Sequence, residues 1–179
     1  YGDGGMIVTD DEELGRLARV YRVHGATKKY NYEYLGYNSR LDTLQAAILL
    51  VKIAHIDDAI RKRKKVADIY TEELRDIPGI RLPKVAAGQS PVYYVFNILA
   101  EDRDALVSYL KEREIQTCIY YPKPLHLQKC FDYLGYSRGD FPVAERVSQQ
   151  ILALPIYPEI TRGEVEFVCD TIRRFYRGR

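Results

Sequence analysis

Residues 36–47 read GYNSRLDTLQAA and combine a turn, a polar cluster and the beginning of a helix. Gly36 permits the turn, and Ser39 and Asp42 are spaced as in a capping box. Apolar residues then recur at spacings of three, four and five, at Leu41, Leu44, Ile48, Val51 and Ile56. The stretch therefore predicts a helix that begins at about Leu41 and is apolar on one face.

The composition is that of a globular chain without a strong charge field. Its 179 residues are 46% hydrophobic and 29% charged, which is enough for a sizeable core. A net charge of +2, mixed along the chain, argues against a nucleic-acid partner. No apolar run approaches the roughly 20 residues of a membrane span, so no membrane partner is predicted. The three cysteines lack metal-ligand spacing and each lies among apolar residues, which predicts no metal site and buried, reduced thiols in a cytoplasmic protein: Cys118, Cys130 and Cys169.

The residues before this stretch predict a strand and then a helix. Residues 5–8 are an apolar run closed by Thr9. Thr9 and Glu12 have the spacing of a capping box for a helix through Val23. Residues 25–36 follow neither the helical nor the strand period, and we expect a polar loop there.

The residues after it predict a long helix and then a change of periodicity. Residues 56–77 have an amphipathic pattern that stops at Pro78, and their basic cluster, 61–65, is expected to be a solvated face. A βαβ-like module should follow, with further helices behind it. The predicted elements are strands at 80–83, 92–100 and 116–121, and helices at 103–113, 127–134 and 143–153, with a last helix capped by Thr161 and Glu164.

Asn38 and Arg40 are the first candidates for binding. They flank Ser39 at the entrance to a helix, where unpaired backbone N–H groups and the positive end of the helix dipole favour an anion such as phosphate. The alternative is an Asx turn at Asn38 and a surface ion pair at Arg40, and the two residues taken alone favour it.

Tyr120, Tyr121 and His126 are the second group of candidates. They bracket a Pro-Lys-Pro break after a predicted strand, which places aromatic and imidazole groups on a stiff loop able to cover a cleft. Such groups can stack on a sugar or a base. The alternatives are a packing role, since the chain has sixteen tyrosines, and a helix-capping role for His126.

Four motifs together carry a resemblance to a known family. They occur in the order GDGG (residues 2–5), His24-Gly25, residues 36–47 and YYPKPLH (residues 120–126). With them the chain resembles the DegT/StrS-type sugar aminotransferases, which depend on pyridoxal 5′-phosphate (PLP). The resemblance implies an α/β fold of PLP-dependent transferase fold type I. It divides the chain into the end of the large PLP-binding domain (1–54), a linking helix (55–77) and a small α+β C-terminal domain (78–179).

The resemblance also implies roles for single residues. In the family the Schiff-base lysine lies a few residues before the GDGG turn, so it is expected upstream of Tyr1 and no residue of this chain is assigned as catalytic. Asn38 would bind the PLP phosphate of the other subunit in a homodimer with a shared active site. Arg40, Tyr121 and His126 would face the substrate.

The implied reaction moves an amino group from glutamate to a keto sugar nucleotide, in amino-sugar, polysaccharide or lipopolysaccharide biosynthesis. Without its lysine the chain is expected to be inactive alone, as the C-terminal half of the intact enzyme. Two alternatives stay open: a PLP-dependent sugar dehydratase of the same fold, and a non-catalytic regulatory or scaffold fragment. Many relatives have histidine where this chain has Tyr120, which leaves a histidine-dependent substrate contact open.

Overall fold

The computed structural model describes residues 2–178, which fall into two compact units. Unit 1 ends at Ile56 and unit 2 begins at Asp57. The first boundary expected from the sequence, at residue 54, lies close to this division. The three-part division into 1–54, 55–77 and 78–179 stays a prediction.

Unit 1 consists of two helices separated by a small hairpin. Its elements are α1 (Glu12–Tyr21), β1 (Ala26–Lys28), β2 (Asn31–Tyr32) and α2 (Thr43–Ile53), with β1 and β2 antiparallel. The helix after Thr9 is confirmed, but its N-cap is Asp11, whose Oδ1 accepts the Leu14 N–H at 2.9 Å. Thr9 instead accepts the Asp11 N–H at 3.0 Å. A carboxylate adjacent to the helix thus takes the capping position.

Three further expectations for unit 1 were wrong. Residues 5–8 form no strand in the described part of the chain, because no neighbouring strand pairs with them, and their apolar side chains are exposed. The loop expected over 25–36 contains the β1–β2 hairpin. The capping box at Ser39 and Asp42 does not form: α2 begins at Thr43, and its N-cap Asp42 makes no side-chain cap hydrogen bond.

Unit 2 is an α+β unit built on a three-stranded antiparallel sheet. The sheet has the order β3-β4-β5, with Ile80 opposite Ala100 and Phe96 opposite Leu154. The elements are α3 (Ile56–Leu74), β3 (Ile80–Arg81), β4 (Phe96–Ala100), α4 (Arg103–Lys111), α5 (Pro142–Gln150), β5 (Ile151–Leu154) and α6 (Arg162–Arg177). Short 3-10 turns at Leu125–Leu127 and Lys129–Leu134 lie between α4 and α5.

Alternate side chains of the strands and one face of the helices pack together in one core. Along β4, Phe96, Ile98 and Ala100 are buried while the intervening residues are only partly covered, as period-two packing requires. Tyr70 of α3 stacks on Phe96 with ring centroids 5.1 Å apart, and its hydroxyl donates to the Pro155 carbonyl at 2.8 Å. Since α3 supplies buried side chains to this core, it belongs structurally to unit 2.

The structure contradicts three of the predictions made for unit 2 and confirms a fourth. Residues 116–121 make only an isolated bridge, between Cys118 and Ala153. The helix expected over 143–153 ends at Gln150, and the next four residues form β5. The expected βαβ-like module is wrong because the strand pairs are antiparallel. The capping box that starts α6, made by Thr161 and Glu164, is confirmed.

Candidate functional site

The backbone around Asn38 is fixed beside the C-terminal end of α1. The Ser39 N–H donates to the Arg22 carbonyl at 3.0 Å, and the Tyr37 N–H donates to the Tyr21 carbonyl at 2.7 Å. Asn38 itself forms an antiparallel bridge with Val23. Hydrogen bonds on both sides therefore hold Asn38 in an extended segment outside any regular strand.

Two glycines make this close approach possible. A Cβ atom on Gly36 would lie 2.1 Å from the Gly25 nitrogen, and one on Gly25 would lie 1.9 Å from the Tyr34 carbonyl oxygen. Gly25 also has a φ of +76°, in the left-handed region that favours glycine. Backbone packing thus explains Gly25 of the His24-Gly25 motif and Gly36, the first residue of the 36–47 stretch.

The GDGG turn packs against the beginning of α2. The Gln45 side-chain amide donates to the Asp3 carbonyl at 3.3 Å. Gly2 has a φ of +81°, and a Cβ there would meet the Gln45 amide nitrogen at 2.2 Å. A Cβ on Gly4 would lie 3.1 Å from a methyl group of Leu41. The turn and the 36–47 stretch, distant in sequence, therefore form one local structure.

This local structure lines a cavity of about 1370 Å³. Asn38, Ser39 and Arg40 contribute an amide, a hydroxyl and a guanidinium group, a donor set that suits a phosphate or carboxylate. Within residues 2–178 no carboxylate forms an ion pair with Arg40, so the surface ion pair considered from the sequence does not form. The cavity lining carries both signs of charge, with the further side chains Arg19, Arg22, Asp3, Asp10, Asp11 and Glu12.

In unit 2 the loop over 120–127 presents Tyr121 to solvent. The Tyr121 side chain is 73% exposed, and its ring meets that of Tyr120 edge-on at a centroid distance of 5.8 Å. The peptide bond between these two residues is cis. A hydrogen bond to the Cys118 thiol raises the pKa of the Tyr120 hydroxyl. Tyr121 is the more exposed ring of this pair, since Tyr120 is 41% exposed.

His126 has a different environment from Tyr121. Its side chain is only 7% exposed, and Nε2 lies 3.0 Å from Oε1 of Glu145. The ring also packs against Phe141, with centroids 4.8 Å apart. The imidazole therefore has a polar partner and an aromatic neighbour within the unit. Its substrate contact stays a prediction.

Glu145 of α5, which contacts His126 of this loop, is a residue that the sequence did not point to. The pKa of Glu145 lies below its ordinary value chiefly because the Gly139 N–H donates a hydrogen bond to its carboxylate, with a smaller effect from the His126 ring. On α5 it lies one turn before the buried Ser148. A carboxylate on the inward face of a helix was the available signal, because such a group requires a partner.

The prediction of three buried cysteines was wrong for two of them, because Cys118 and Cys130 are exposed and Cys169 is buried. The described residues contain no group of three or more His, Cys, Asp or Glu side chains that could hold a metal ion. Across the same part of the chain, every helix falls short of the length and apolar character required to span a bilayer.

The amino-acid sequence is similar to those of known proteins over almost its whole length. The model of the DegT/DnrJ/EryC1/StrS aminotransferase family matches residues 1–173. A pleiotropic regulatory protein of Geobacillus stearothermophilus is 46% identical over 179 residues, covering 99% of this chain and 48% of the relative. A dTDP-3-amino-3,4,6-trideoxy-alpha-D-glucose transaminase of Streptomyces venezuelae is 39% identical, covering 98% of this chain and 46% of the relative.

Similarity to a solved structure agrees with the fold described above. The crystal structure of DesV from S. venezuelae superposes with a TM-score of 0.90 at 38% identity, covering 94% of this chain and 46% of DesV. The α/β architecture is thus that of the C-terminal region of fold type I aminotransferases. The chain spans about half the length of the curated relatives it matches.

Proposed function

Because the chain belongs to the DegT/DnrJ/EryC1/StrS aminotransferase family, we propose that it is part of an enzyme that aminates nucleotide-linked keto sugars, with glutamate as amino donor. Family membership implies PLP as the cofactor. The observation that carries the proposal is the packing of the GDGG turn against Leu41 and Gln45 of the 36–47 stretch, beside a cavity lined by Asn38, Ser39 and Arg40, whose donors suit a phosphate. The name of the S. venezuelae transaminase supports the substrate class.

The residues of unit 1 fit the phosphate end of this cofactor. When bound, PLP supplies an electron sink for amino transfer. The Asn38 amide would donate N–H groups to phosphate oxygens, and Ser39 and Arg40 on the same cavity would offer a hydroxyl and a guanidinium group. The fixed backbone of Asn38 is suited to this task, because a pre-positioned donor loses little freedom on binding.

The substrate side of the proposal rests on Arg40 and Tyr121. Arg40 lines the cavity without an ion pair in the described residues, so its guanidinium is free to take a carboxylate or phosphate oxygen. The exposed Tyr121 ring offers a stacking surface for a sugar or base. A direct substrate contact by His126 is the weakest of these assignments, because its ring is nearly buried beside Glu145.

The remaining parts of the proposal concern the whole enzyme. We propose that a lysine upstream of Tyr1 in a longer polypeptide carries out the proton transfers, and that the 179 residues alone do not transaminate. The enzyme is proposed to be a cytoplasmic homodimer whose active site is shared, with Asn38 serving the partner's cofactor. Its product is proposed to enter polysaccharide or lipopolysaccharide biosynthesis.

A regulatory role is the second candidate function. The relative from G. stearothermophilus carries a regulatory name and is 46% identical to this chain. A regulatory protein of this fold would not need to transfer an amino group from glutamate. The two candidates therefore differ in whether glutamate is consumed.

The test incubates the longer polypeptide with PLP, glutamate and a dTDP-linked 3-keto sugar, and measures 2-oxoglutarate. We expect 2-oxoglutarate only when the keto sugar is present, and a large loss in Asn38→Ala. Asn31→Ala, which removes an exposed amide from the hairpin of the same unit, is the matched control and should change little. Because the nucleotide is not fixed, a UDP-linked 3-keto sugar is tested in parallel. No turnover with either sugar would overturn the proposal and favour the regulatory candidate.

A further inference from the structure

The carboxylate of Glu145 holds together the two ends of the segment 126–139 in unit 2. From α5 it accepts the Gly139 backbone N–H at 2.8 Å and lies 3.0 Å from the His126 ring nitrogen. Its side chain is only 12% exposed. One carboxylate thus connects the Gly139 backbone with the side chain of His126, thirteen residues earlier, and the intervening segment is held at both ends.

Aromatic packing supports the same closure. The His126 ring contacts Phe141, and Phe141 meets Tyr136 edge-on with centroids 5.0 Å apart. The Glu145 backbone N–H donates to the Phe141 carbonyl at 3.0 Å. These contacts hold the His126 ring in one position, because it has a polar partner in Glu145 and an aromatic neighbour in Phe141.

The constraint extends from His126 back towards Tyr121. The Leu127 N–H donates to the Pro124 carbonyl at 3.1 Å, and the Gln128 side-chain amide donates to the Lys123 carbonyl at 3.3 Å. Pro122 and Pro124 each have their own φ fixed by the ring, which removes two soft dihedral angles from the segment between Tyr121 and His126. Few soft dihedral angles therefore separate the Glu145–His126 pair from Tyr121.

We propose that Glu145 is a positioning residue: through His126 it fixes the loop that presents Tyr121 to the keto sugar nucleotide. This inference rests on the proposed function, because it assigns Tyr121 to the substrate. It gives His126 a task in which its buried ring holds the loop without touching the substrate.

The expected effect lies in substrate binding. Glu145→Ala in the longer polypeptide should raise KM for the keto sugar nucleotide about tenfold or more, since a small misplacement of a binding group is costly. KM for glutamate should stay unchanged. Glu145→Gln keeps an acceptor oxygen for the Gly139 N–H and should recover most of the loss. Glu166→Ala removes an exposed ion pair of α6 and is the matched control, with no expected change.

Hydrogen exchange of residues 120–141 is measured on the same proteins. Faster exchange in Glu145→Ala, with the selective rise in KM and its recovery in Glu145→Gln, is the expected result. Faster exchange with an unchanged KM for the sugar, in an active wild type, would overturn the positioning role and leave the proposed function intact. An inactive wild type would overturn the proposed function, and this role with it. If Glu145→Ala does not fold, His126→Ala breaks the same bond from the other side and is scored by the same two measurements.

Discussion

The two units of the chain bury their apolar side chains to very different extents. In its described residues unit 2 has a core cluster of twenty buried residues, which come from α3, the sheet, α4, α6 and three connecting segments. In the described part of unit 1, Val20 is the buried hydrophobic residue, and α2 has none although most of its residues are apolar. A helix that is apolar all round is typical of a buried position. Unit 2 is therefore stabilised by its own core, whereas α2 has the sequence of a helix that packs against further protein.

The largest expected effect tests the core of unit 2. Phe96→Ala should lower the free energy of unfolding by about 3–5 kcal/mol, because it removes a buried ring stacked on Tyr70 and leaves a cavity. Urea unfolding of the 179-residue chain measures this loss. Leu50→Ala, at a position of α2 that is 72% exposed, is the control and should change stability by less than about 0.5 kcal/mol. Equal losses at the two positions would remove the contrast between the units.

The second effect concerns the part of unit 1 that is closely packed. Gly36→Ala should destabilise by about 1–3 kcal/mol, because a new Cβ atom would overlap the Gly25 nitrogen. Faster hydrogen exchange at the Tyr37 and Ser39 amides is the local measurement. Gly163→Ala, where a Cβ meets nothing within 4 Å, should be neutral or stabilising by up to about 1 kcal/mol. A tolerated Gly36→Ala would contradict the backbone explanation of the motif.

The third effect compares a helix start in each unit. Thr161→Ala should cost about 1 kcal/mol, because it breaks the capping box that starts α6. Asp42→Ala at the start of α2 should cost less than about 0.5 kcal/mol, since Asp42 makes no side-chain cap hydrogen bond. Thermal unfolding of both variants measures the difference. A larger loss in Asp42→Ala would mean that α2 has a cap that this structure does not contain.

The smallest effect is the pH dependence at the start of α6. The pKa of Glu164 is lowered by hydrogen bonds from the Thr161 hydroxyl and N–H. A lowered pKa in the folded state contributes stability above the unfolded pKa, and the contribution is lost as pH falls through the folded value. Glu164→Gln should therefore flatten the acid side of the stability profile. An NMR titration that finds Glu164 at its ordinary pKa would contradict the capping geometry.

Sequence patterns predicted the elements whose signals are local. The amphipathic period identified α3, and the Thr161–Glu164 spacing identified α6. The strand β5 was missed because residues 151–154 follow α5 without a glycine or proline, so an apolar run there cannot be distinguished from a continued helix. The strand at 5–8 was predicted from apolar character, but a strand also needs a neighbour to pair with.

The part of the candidate site that lies within one short motif could be predicted from the sequence. Asn38 and Arg40 lie within the 36–47 stretch, and they line one cavity. The clash that excludes a side chain at Gly36 depends on Gly25, eleven residues away, and hydrophobic periodicity carries no information about it. Glu145 was missed for the same reason, because its partner His126 lies nineteen residues away on a different element.

The most direct test of the account is the affinity of PLP for the longer polypeptide with and without the Asn38 amide. Equilibrium dialysis should show a PLP Kd about tenfold or more higher in Asn38→Ala, because hydrogen bonds to a charged group are lost, with Asn31→Ala unchanged. Turnover of the keto sugar nucleotide should fall in parallel. Equal PLP affinity in wild type and Asn38→Ala would contradict the claim that this segment holds the cofactor phosphate.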